Sequence, residues 1–438
     1  MVTTKYVRDN IDKIRKSMEK RRSDYPLDEL LKLDEDSRKI HTKIQDLQKQ
    51  RNVGSREISE LKKQGKKVNE DKVKELAEIG KKIQELENKT LEENKRIEEL
   101  LWNMPNTLDE SVPYGKDDTE NIELKRTHGI KKKEMSTDSE ILERLDLIDL
   151  EQAAKVSGAR FYYLKGDLAL LEQALIRFAI DRLTKKGYEL IAPPLMLKKE
   201  YYRGSTALGD FEEALYKIAD ATEVAGKEDY EKLEDELFLI STSEHAMAAY
   251  NAEKVFAGNE LPKRYVAVTP CFRREAGSHG KDTKGIFRVH HFYKVEQYVI
   301  TKPENSEEIF EEIMKNAEDL VKELELPYRI INICTGDIGT VAAKKYDIEV
   351  YMPGQDKFRE IVSGSNCSDW QSLRLNIKYD EAGKRNYVHT LNCTGIATTR
   401  VILGIVENYL TKNNTIKIPS ALVPYMNGKT EISGSKKV

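Results

Sequence analysis

The sequence predicts an α+β protein, an antiparallel β-sheet domain flanked by helices and preceded by a long antiparallel α-helical coiled-coil hairpin. Three observations lead there. Hydrophobic residues repeat with heptad spacing over the first hundred residues and then stop. From Pro105 onward, amphipathic helical patterns alternate with short strand-like runs. Neither a G-x-G-x-x-G nor a G-x-x-x-x-G-K-[ST] string occurs, so neither of the familiar nucleotide-binding parallel-sheet folds is signalled.

The first heptad seam carries Leu33, Ile40, Ile44, Leu47, Ile58, Leu61 and Val68, interrupted by Ser37, Arg51, Gly54 and Gly65. The second carries Leu76, Ile79, Ile83, Leu86, Ile97, Leu100 and Met104, interrupted by Thr90 and Glu93. Gly65 and Asn69 can turn the chain between them, giving two antiparallel helices of roughly 50 Å each at about 1.5 Å per residue. Periodicity alone describes a dimerisation or spacer coil equally well. Charge adds something: residues 49–82 hold 11 Lys/Arg against 6 Asp/Glu, and Lys62, Lys63, Lys66 and Lys67 crowd the turn. A basic tip suits phosphate contacts, which supply affinity without reading sequence. The alternative is a solvated lysine face.

Composition narrows the classes. The chain has 438 residues, 39% hydrophobic and 34% charged, with a net charge of −3, so any nucleic-acid site has to come from local charge asymmetry. No apolar run is long enough for a membrane span. The first residues lack the character of a secretory signal or organelle presequence, so a cytoplasmic location is expected. Cys271, Cys334, Cys367 and Cys393 are scattered without a C-x-x-C pair, so free thiols are expected rather than zinc or disulfides. Residues 1–110 are read as the arm, 111–160 as a linker, 161–428 as the sheet domain and 429–438 as a flexible Lys/Ser/Gly-rich tail.

Within the sheet domain, a helix is expected over about 168–186, with Leu168, Leu171, Leu175 and Phe178 on one face. A strand then leads from Tyr188 into Pro193-Pro194. Further strands are expected at Tyr265–Thr269, Phe292–Ile300 and Val388–Leu391, and helices at about Ser306–Leu324 and Gly395–Leu410. Two of these segments are unusually polar. In Cys271-Phe272-Arg273-Arg274-Glu275, an arginine that can fork onto phosphate oxygens shares a strand face with a carboxylate two residues on. Alone, this is equally a surface ion pair. In Leu391-Asn392-Cys393-Thr394-Gly395 through Arg400, an apolar helix carries an arginine in its early turns, where the helix dipole disfavours a cation unless an anion waits nearby. His290 and His291 are adjacent on a strand, face opposite ways, and are read as structural.

Taken in order, the helix–strand–Pro193, Phe272-Arg273-x-Glu275 and Gly395–Arg400 segments resemble the three signature motifs of class II aminoacyl-tRNA synthetases. The strings Ser241-Thr242-Ser243-Glu244, His290-His291-Phe292-Tyr293-Lys294-Val295-Glu296-Gln297, Glu360-Ile361-Val362-Ser363-Gly364-Ser365-Asn366 and Leu391-Asn392-x-Thr394 resemble the seryl enzymes of that class in particular. Residues 160–425 carry the resemblance closely, and the arm matches in position and architecture.

The resemblance implies a ligase that makes seryl-adenylate from L-serine and ATP with Mg2+, then charges tRNA(Ser), and also tRNA(Sec) where present. Arg273, Glu275 and Arg400 are the implied catalytic residues. Arg273 would bridge the ATP α-phosphate and the serine carboxylate, Glu275 would take the adenine amino group, and Arg400 would meet the γ-phosphate. Arg274 and Val289 would also face the nucleotide. Glu360 and Ser363 would hold magnesium and phosphate, with Ile361 and Val362 completing that segment. Thr242, Ser243, Glu244, Asn392, Glu296 and Thr394 would surround serine, the last two on its hydroxyl. Such chemistry needs charge neutralisation, alignment and a metal, and no covalent nucleophile. Lys62, Lys63, Lys66 and Lys67 are the candidate tRNA contacts. The resemblance also implies a homodimer, joined through the apolar face of the 168–186 helix. Gly364 stands where many members have cysteine, and Leu373-Arg374 where many have two arginines, so position 373 is given no role. Two readings compete: an adenylate-forming paralogue that charges no tRNA, disfavoured by the basic-tipped arm, and a coiled-coil scaffold, disfavoured by the intact Arg273, Glu275, Glu360 and Arg400.

Overall fold

The computed structural model describes residues 3–67, 69–127, 138–207, 214–218, 237–275 and 285–434. The motif segment 276–284 and the last residues of the tail, 435–438, lie outside the described residues. The two heptad seams form helices α1 (Leu27–Lys63) and α2 (Glu70–Asn103), except that Gly65 and Met104 fall past the helix ends and Val68 lies outside the described residues. Ile40, Ile44 and Ile83 are buried between them, with Leu47, Ile79 and Leu86 alongside. Gly54, a gap in the sequence seam, is a close approach instead: a Cβ there would meet Leu76 Cδ2 at 2.7 Å. Past α1, Gly65 takes φ +68°, a conformation cheap only for glycine. The Asn69 side chain then accepts the Asp71 N–H at 2.9 Å and caps α2. Two short helices, Thr4–Asp9 and Ile11–Arg21, are tied to α1 by Arg8–Asp34 and Arg15–Asp28 ion pairs.

Residues Val2–Pro105 and Asn106–Val438 form two compact units. The second is built on a sheet whose strands, in chain order, are β1 (Ile122–Arg126), β2 (Glu189–Ile191), β3 (Lys263–Phe272), β4 (His291–Thr301), β5 (Tyr328–Asn332), β6 (Lys344–Met352), β7 (Lys357–Asn366) and β8 (His389–Ala397). They lie side by side in the order β1-β5-β6-β7-β8-β4-β3-β2. Every neighbouring pair is antiparallel except β2 and β3. Within 111–160, β1 forms one sheet edge, and the polar run Val112–Asp118 is docked: Thr335 N–H donates to the Pro113 carbonyl at 2.9 Å. A Cβ on Gly115 would meet Cys334 Sγ at 2.5 Å, so glycine permits this approach.

Three helices cover one face: α3 (Gly166–Lys185), α5 (Ser306–Glu323) and α7 (Thr398–Tyr409). Against them pack the inward residues of the strands, Val295 and Val299 of β4 and Leu391 and Cys393 of β8 among them. Strand alternation sends Lys294, Glu296 and Tyr298 to the opposite face. There α4 (Ser243–Tyr250) lines one side of a polar cavity, and α6 (Trp370–Leu375) packs behind it through Gln371, which donates to Glu244. Two expectations need correction. Leu168, Leu171, Leu175 and Phe178 are wholly buried in this chain's own core, so that face is not available to a second subunit. The helix expected from Gly395 begins at Thr398, because the β8 strand runs on to Ala397, with Ile396 and Ala397 still paired to β4.

Candidate active site

Two β-bulges aim the side chains of the open face. Along β7, Ser363 pairs with Asp347 and Val362 with Ile348, but Glu349 pairs with Glu360, so Ile361 is an extra residue. Strict alternation would put positions 360 and 363 on opposite faces; the bulge brings both to the cavity. On β8, Glu296 pairs with Thr394 but Val295 with Ile396, making Gly395 the extra residue. Thr394 and Ala397 therefore both line the cavity although three residues apart.

The cavity has a volume of about 560 Å³. At its inner end, Lys294 and Glu296 pair at 2.5 Å, both almost fully buried. Thr394 Oγ1 donates to Glu296 Oε2 at 3.4 Å. Burial pushes the Glu296 carboxyl upward against the opposing pull of Lys294. Glu244 stands beside this pair, pushed up to about 7 by burial and by the Glu296 charge. Its partner is Gln371, whose amide donates to Glu244 Oε1 at 2.8 Å. His245 is held neutral, down to about 3, by burial and by Lys294 and Arg273, with its two ring nitrogens each 3.1 Å from Ser205 Oγ and Ser241 Oγ.

Arg273 leaves the end of β3 into the middle of the cavity. Its Nε donates to the Ser241 carbonyl at 3.2 Å, and its guanidinium lies 5.4 Å from the Phe292 ring centre. His290 Nδ1 lies 2.8 Å from the Arg273 carbonyl, a backbone-positioning contact that fits its structural reading. Glu275 adopts φ +48°, unusual for a non-glycine residue and found preferentially where function over-determines the backbone. Its carbonyl accepts from Arg160 Nη1 at 3.0 Å.

The far end is built from Glu360 and Arg400. Arg400 Nη1 donates to Glu360 Oε1 at 2.9 Å and to its carbonyl at 3.1 Å. Burial would raise the Glu360 carboxyl, but Arg400, Lys345 and Arg273 outweigh it and hold it below its usual range. Arg400 and Arg359 both approach the Phe287 ring, at 5.1 and 3.9 Å from its centre. Behind Ser363 lies Asp347, pushed up to about 7 by burial despite Lys345. Its Oδ1 is buried without a hydrogen-bond partner among the described residues. Glu360 and the Ser363 hydroxyl, both in the cavity lining, are hard donors of the kind Mg2+ takes, one or two protein ligands with the shell completed by water and phosphate oxygens. Among the described residues no trio of His, Cys, Asp or Glu could hold a metal by itself.

Of the sequence-derived site, Thr242, Glu244, Glu296, Asn392 and Thr394 line the inner end. Arg273, Glu275, Glu360, Ile361, Ser363 and Arg400 line the remainder. Four residues are not in its walls. Val289 and Val362 belong to the helix-side core, Ser243 is buried at the first turn of α4, and Arg274 is exposed with its N–H bonded to the Ala214 carbonyl at 2.9 Å. Sequence reasoning assigns no role to Lys294, Lys345 or Gln371, all three of which the fold brings to the site. Lys294 leaves a signal as Lys-x-Glu on one strand face, and Lys345 as Lys-x-Asp; Gln371 leaves no comparable trace because only the fold brings α6 beneath the cavity.

Known proteins resemble this chain over its whole length. Residues 1–108 match the family model for the seryl-tRNA synthetase N-terminal domain, and 223–409 that for the tRNA synthetase class II core domain (G, H, P, S and T). A serine--tRNA ligase of Pyrococcus horikoshii is 44% identical over 464 aligned positions, covering 100% of this chain and 99% of that protein. A crystal structure of seryl-tRNA synthetase from P. horikoshii complexed with ATP superposes with a TM-score of 0.89 at 43% identity, all of both chains being covered. That of the cytoplasmic serine-tRNA ligase from Naegleria fowleri in complex with AMP gives 0.83 at 34% identity, covering 98% of this chain and 96% of the other.

Proposed function

From the premise that this chain belongs to the seryl-tRNA synthetase family, we propose that it activates L-serine with ATP and transfers the seryl group to the 3′ end of tRNA(Ser). One observation carries the reading. Arg273 lines one cavity together with Glu244 and Glu296 of the inner subsite and Glu360 and Arg400 of the outer one, so a single guanidinium can serve two differently built subsites. The inner subsite suits an ammonium and a hydroxyl; the outer one suits a nucleotide polyphosphate.

In this reading Glu244 and Thr242 receive the serine ammonium, and Glu296 with Thr394 hydrogen-bonds the hydroxyl. Asn392 completes the inner wall. Arg273 holds the serine carboxylate against the α-phosphate. The carboxylate oxygen bonds to that phosphorus as the bond to the bridging oxygen breaks, and diphosphate leaves. Arg273 neutralises charge that builds on the α-phosphate oxygens, and Arg400 does so on the departing diphosphate. Glu275 takes the adenine amino group. Bound with ATP, magnesium would screen the phosphate charge and be held by Glu360 and Ser363. The tRNA 3′-terminal hydroxyl then attacks the adenylate carbonyl and AMP departs. Lys62, Lys63, Lys66 and Lys67 contact the tRNA backbone. Cognate tRNA(Sec), where present, is a second acceptor. The N. fowleri relative is described as cytoplasmic, and the same compartment is proposed here; no helix among the described residues is long and apolar enough to cross a membrane.

The test is amino-acid-dependent exchange of diphosphate into ATP, followed by charging of total tRNA. Serine should drive exchange and alanine should fail by about 10⁴-fold, because a site built around a hydroxyl strands its polar groups when that hydroxyl is missing. Arg273→Ala should lower exchange by about 10²–10³. Equal exchange with alanine and serine would overturn the assignment.

A further inference from the structure

Beneath the inner pocket, Gln371 is wholly buried on α6, and each side of its amide is used. Its Nε2 donates to the Ser205 carbonyl at 2.9 Å and to Glu244 Oε1 at 2.8 Å. Its Oε1 accepts from Tyr298 Oη at 3.0 Å and from Thr390 Oγ1 at 2.7 Å. The orientation is set by chemistry: a backbone carbonyl can only accept, so the NH₂ end must face Ser205, and the two hydroxyls can donate to the other end. The same NH₂ is thereby forced toward Glu244. A flipped amide would set its oxygen against both the carbonyl and the carboxylate.

We propose that Gln371 is a positioning residue for amino-acid recognition, a preset donor that holds the Glu244 carboxylate in place and ionised for the substrate ammonium. The proposal rests on the serine-activating function set out above. Burial and the Glu296 charge both work against ionisation of Glu244, while Lys294, the Gln371 donor and Arg273 favour it. Tyr298 of β4 and the Cys367 thiol also face this carboxylate, and burial with the Glu244 charge keeps both protonated. Neutral His245, next in α4, adds no charge. Among these groups Gln371 is the one whose donor reaches Glu244 directly, and it is itself locked from below by two hydroxyls. A neutral amide suits this place better than a cation: it steers the carboxylate without occupying the ammonium's counter-charge.

The experiment measures kcat/KM for serine and for ATP in the exchange reaction between about pH 5.5 and 9, in the wild type, Gln371→Met and Thr390→Val. Glu244 lies at about 7, so wild-type kcat/KM for serine should fall as pH drops through neutrality, when the carboxylate takes a proton. In Gln371→Met that acid limb should move upward by about one to two pH units, the worth of a hydrogen bond to a charged group. KM for ATP should stay within about two-fold at high pH. Thr390→Val, nearly isosteric, removes one of the two hydroxyls locking the amide and should shift the limb the same way by less; it carries the test if Gln371→Met does not fold. A parallel drop at every pH, with the acid limb unmoved in the folded variants, overturns the proposal. Wild-type protein without serine-dependent exchange would instead overturn the function on which it rests.

Discussion

Glu244 concentrates the cost of recognition in one residue. Its carboxyl is pushed from the ordinary 4.5 to about 7 by burial and by Glu296. An acid raised in the folded state favours folding most when protonated, so this stability is complete below about 4.5 and is lost as pH rises through about 7. Glu244→Gln removes that penalty. Its melting temperature should match the wild type below about pH 4.5, exceed it increasingly up to about pH 7 and hold that gap above, while serine-dependent exchange falls by about 10- to 100-fold for loss of a charged hydrogen bond. Thermal melts at several pH values read the first effect; a melting difference constant with pH would show that Glu244 does not titrate as described. Cys271, Cys367 and Cys393 are free and buried, and burial raises each thiol. Cys393 acts as a small core side chain: its Sγ lies against Met314 at 3.8 Å, and a Cβ on Gly364 would strike the same Met314 sulfur. The glycine at 364 is thus matched to a large neighbour.

At the scale of elements, the bulges in β7 and β8 and the hairpin arm each convert a sequence irregularity into placement. The bulges turn a three-residue spacing into a shared face, which lets one strand serve both core and cavity. In the arm, Gly54 lets α2 approach closely, and the basic end of α1 places Lys62 and Lys63 in its last turn, where the helix dipole favours cations. Lys66 and Lys67 follow in the turn, and all four are exposed. Replacing the four with glutamine should weaken tRNA binding and flatten its salt dependence by about 0.9 in log–log slope for each phosphate no longer neutralised, on the duplex-DNA scale. Serine-dependent exchange should not change. Filter binding across a salt series would read the slope; an unchanged affinity and slope would mark these lysines as a solvated face.

At the scale of the whole molecule, the sheet leaves β2 at one edge, with β3 covering only its other side. Leu190, Leu195 and Met196, in and just after that strand, are 47%, 36% and 45% exposed. Exposed apolar side chains beside a strand edge that no described strand covers are candidates for an association surface. If the homodimer that the family resemblance implies forms, the β2 edge and the Pro193-Pro194 turn are where we propose it joins, since the apolar face of α3 serves the core. Light scattering at micromolar concentration should give twice the 50.4 kDa chain mass, and Leu190→Glu with Met196→Glu should shift it toward the monomer. A monomeric wild type would remove the dimer from the description.

Much of this protein was determined by its sequence alone, and for a local reason. Heptad spacing specified α1 and α2, because a helical seam is set by residues three and four apart. Arg273, Glu275 and Arg400 stood out as candidates because charged residues are costly inside strands and helices unless something there uses them, whereas Glu360 was picked out only through the family resemblance. Tertiary structure decided what depends on register and on distant partners. No periodicity reports that Ile361 and Gly395 are extra residues, since a bulge is defined by the strand opposite. The burial of Leu168, Leu171, Leu175 and Phe178 in the chain's own core was equally hidden: an amphipathic face declares that it will be covered, never by what. Lys294 and Gln371 reach the site for the same reason, one by the pairing of β4 with β3 and β8, the other by the fold that carries α6 beneath Glu244, where a buried carboxylate needs a donor that only three-dimensional packing can supply.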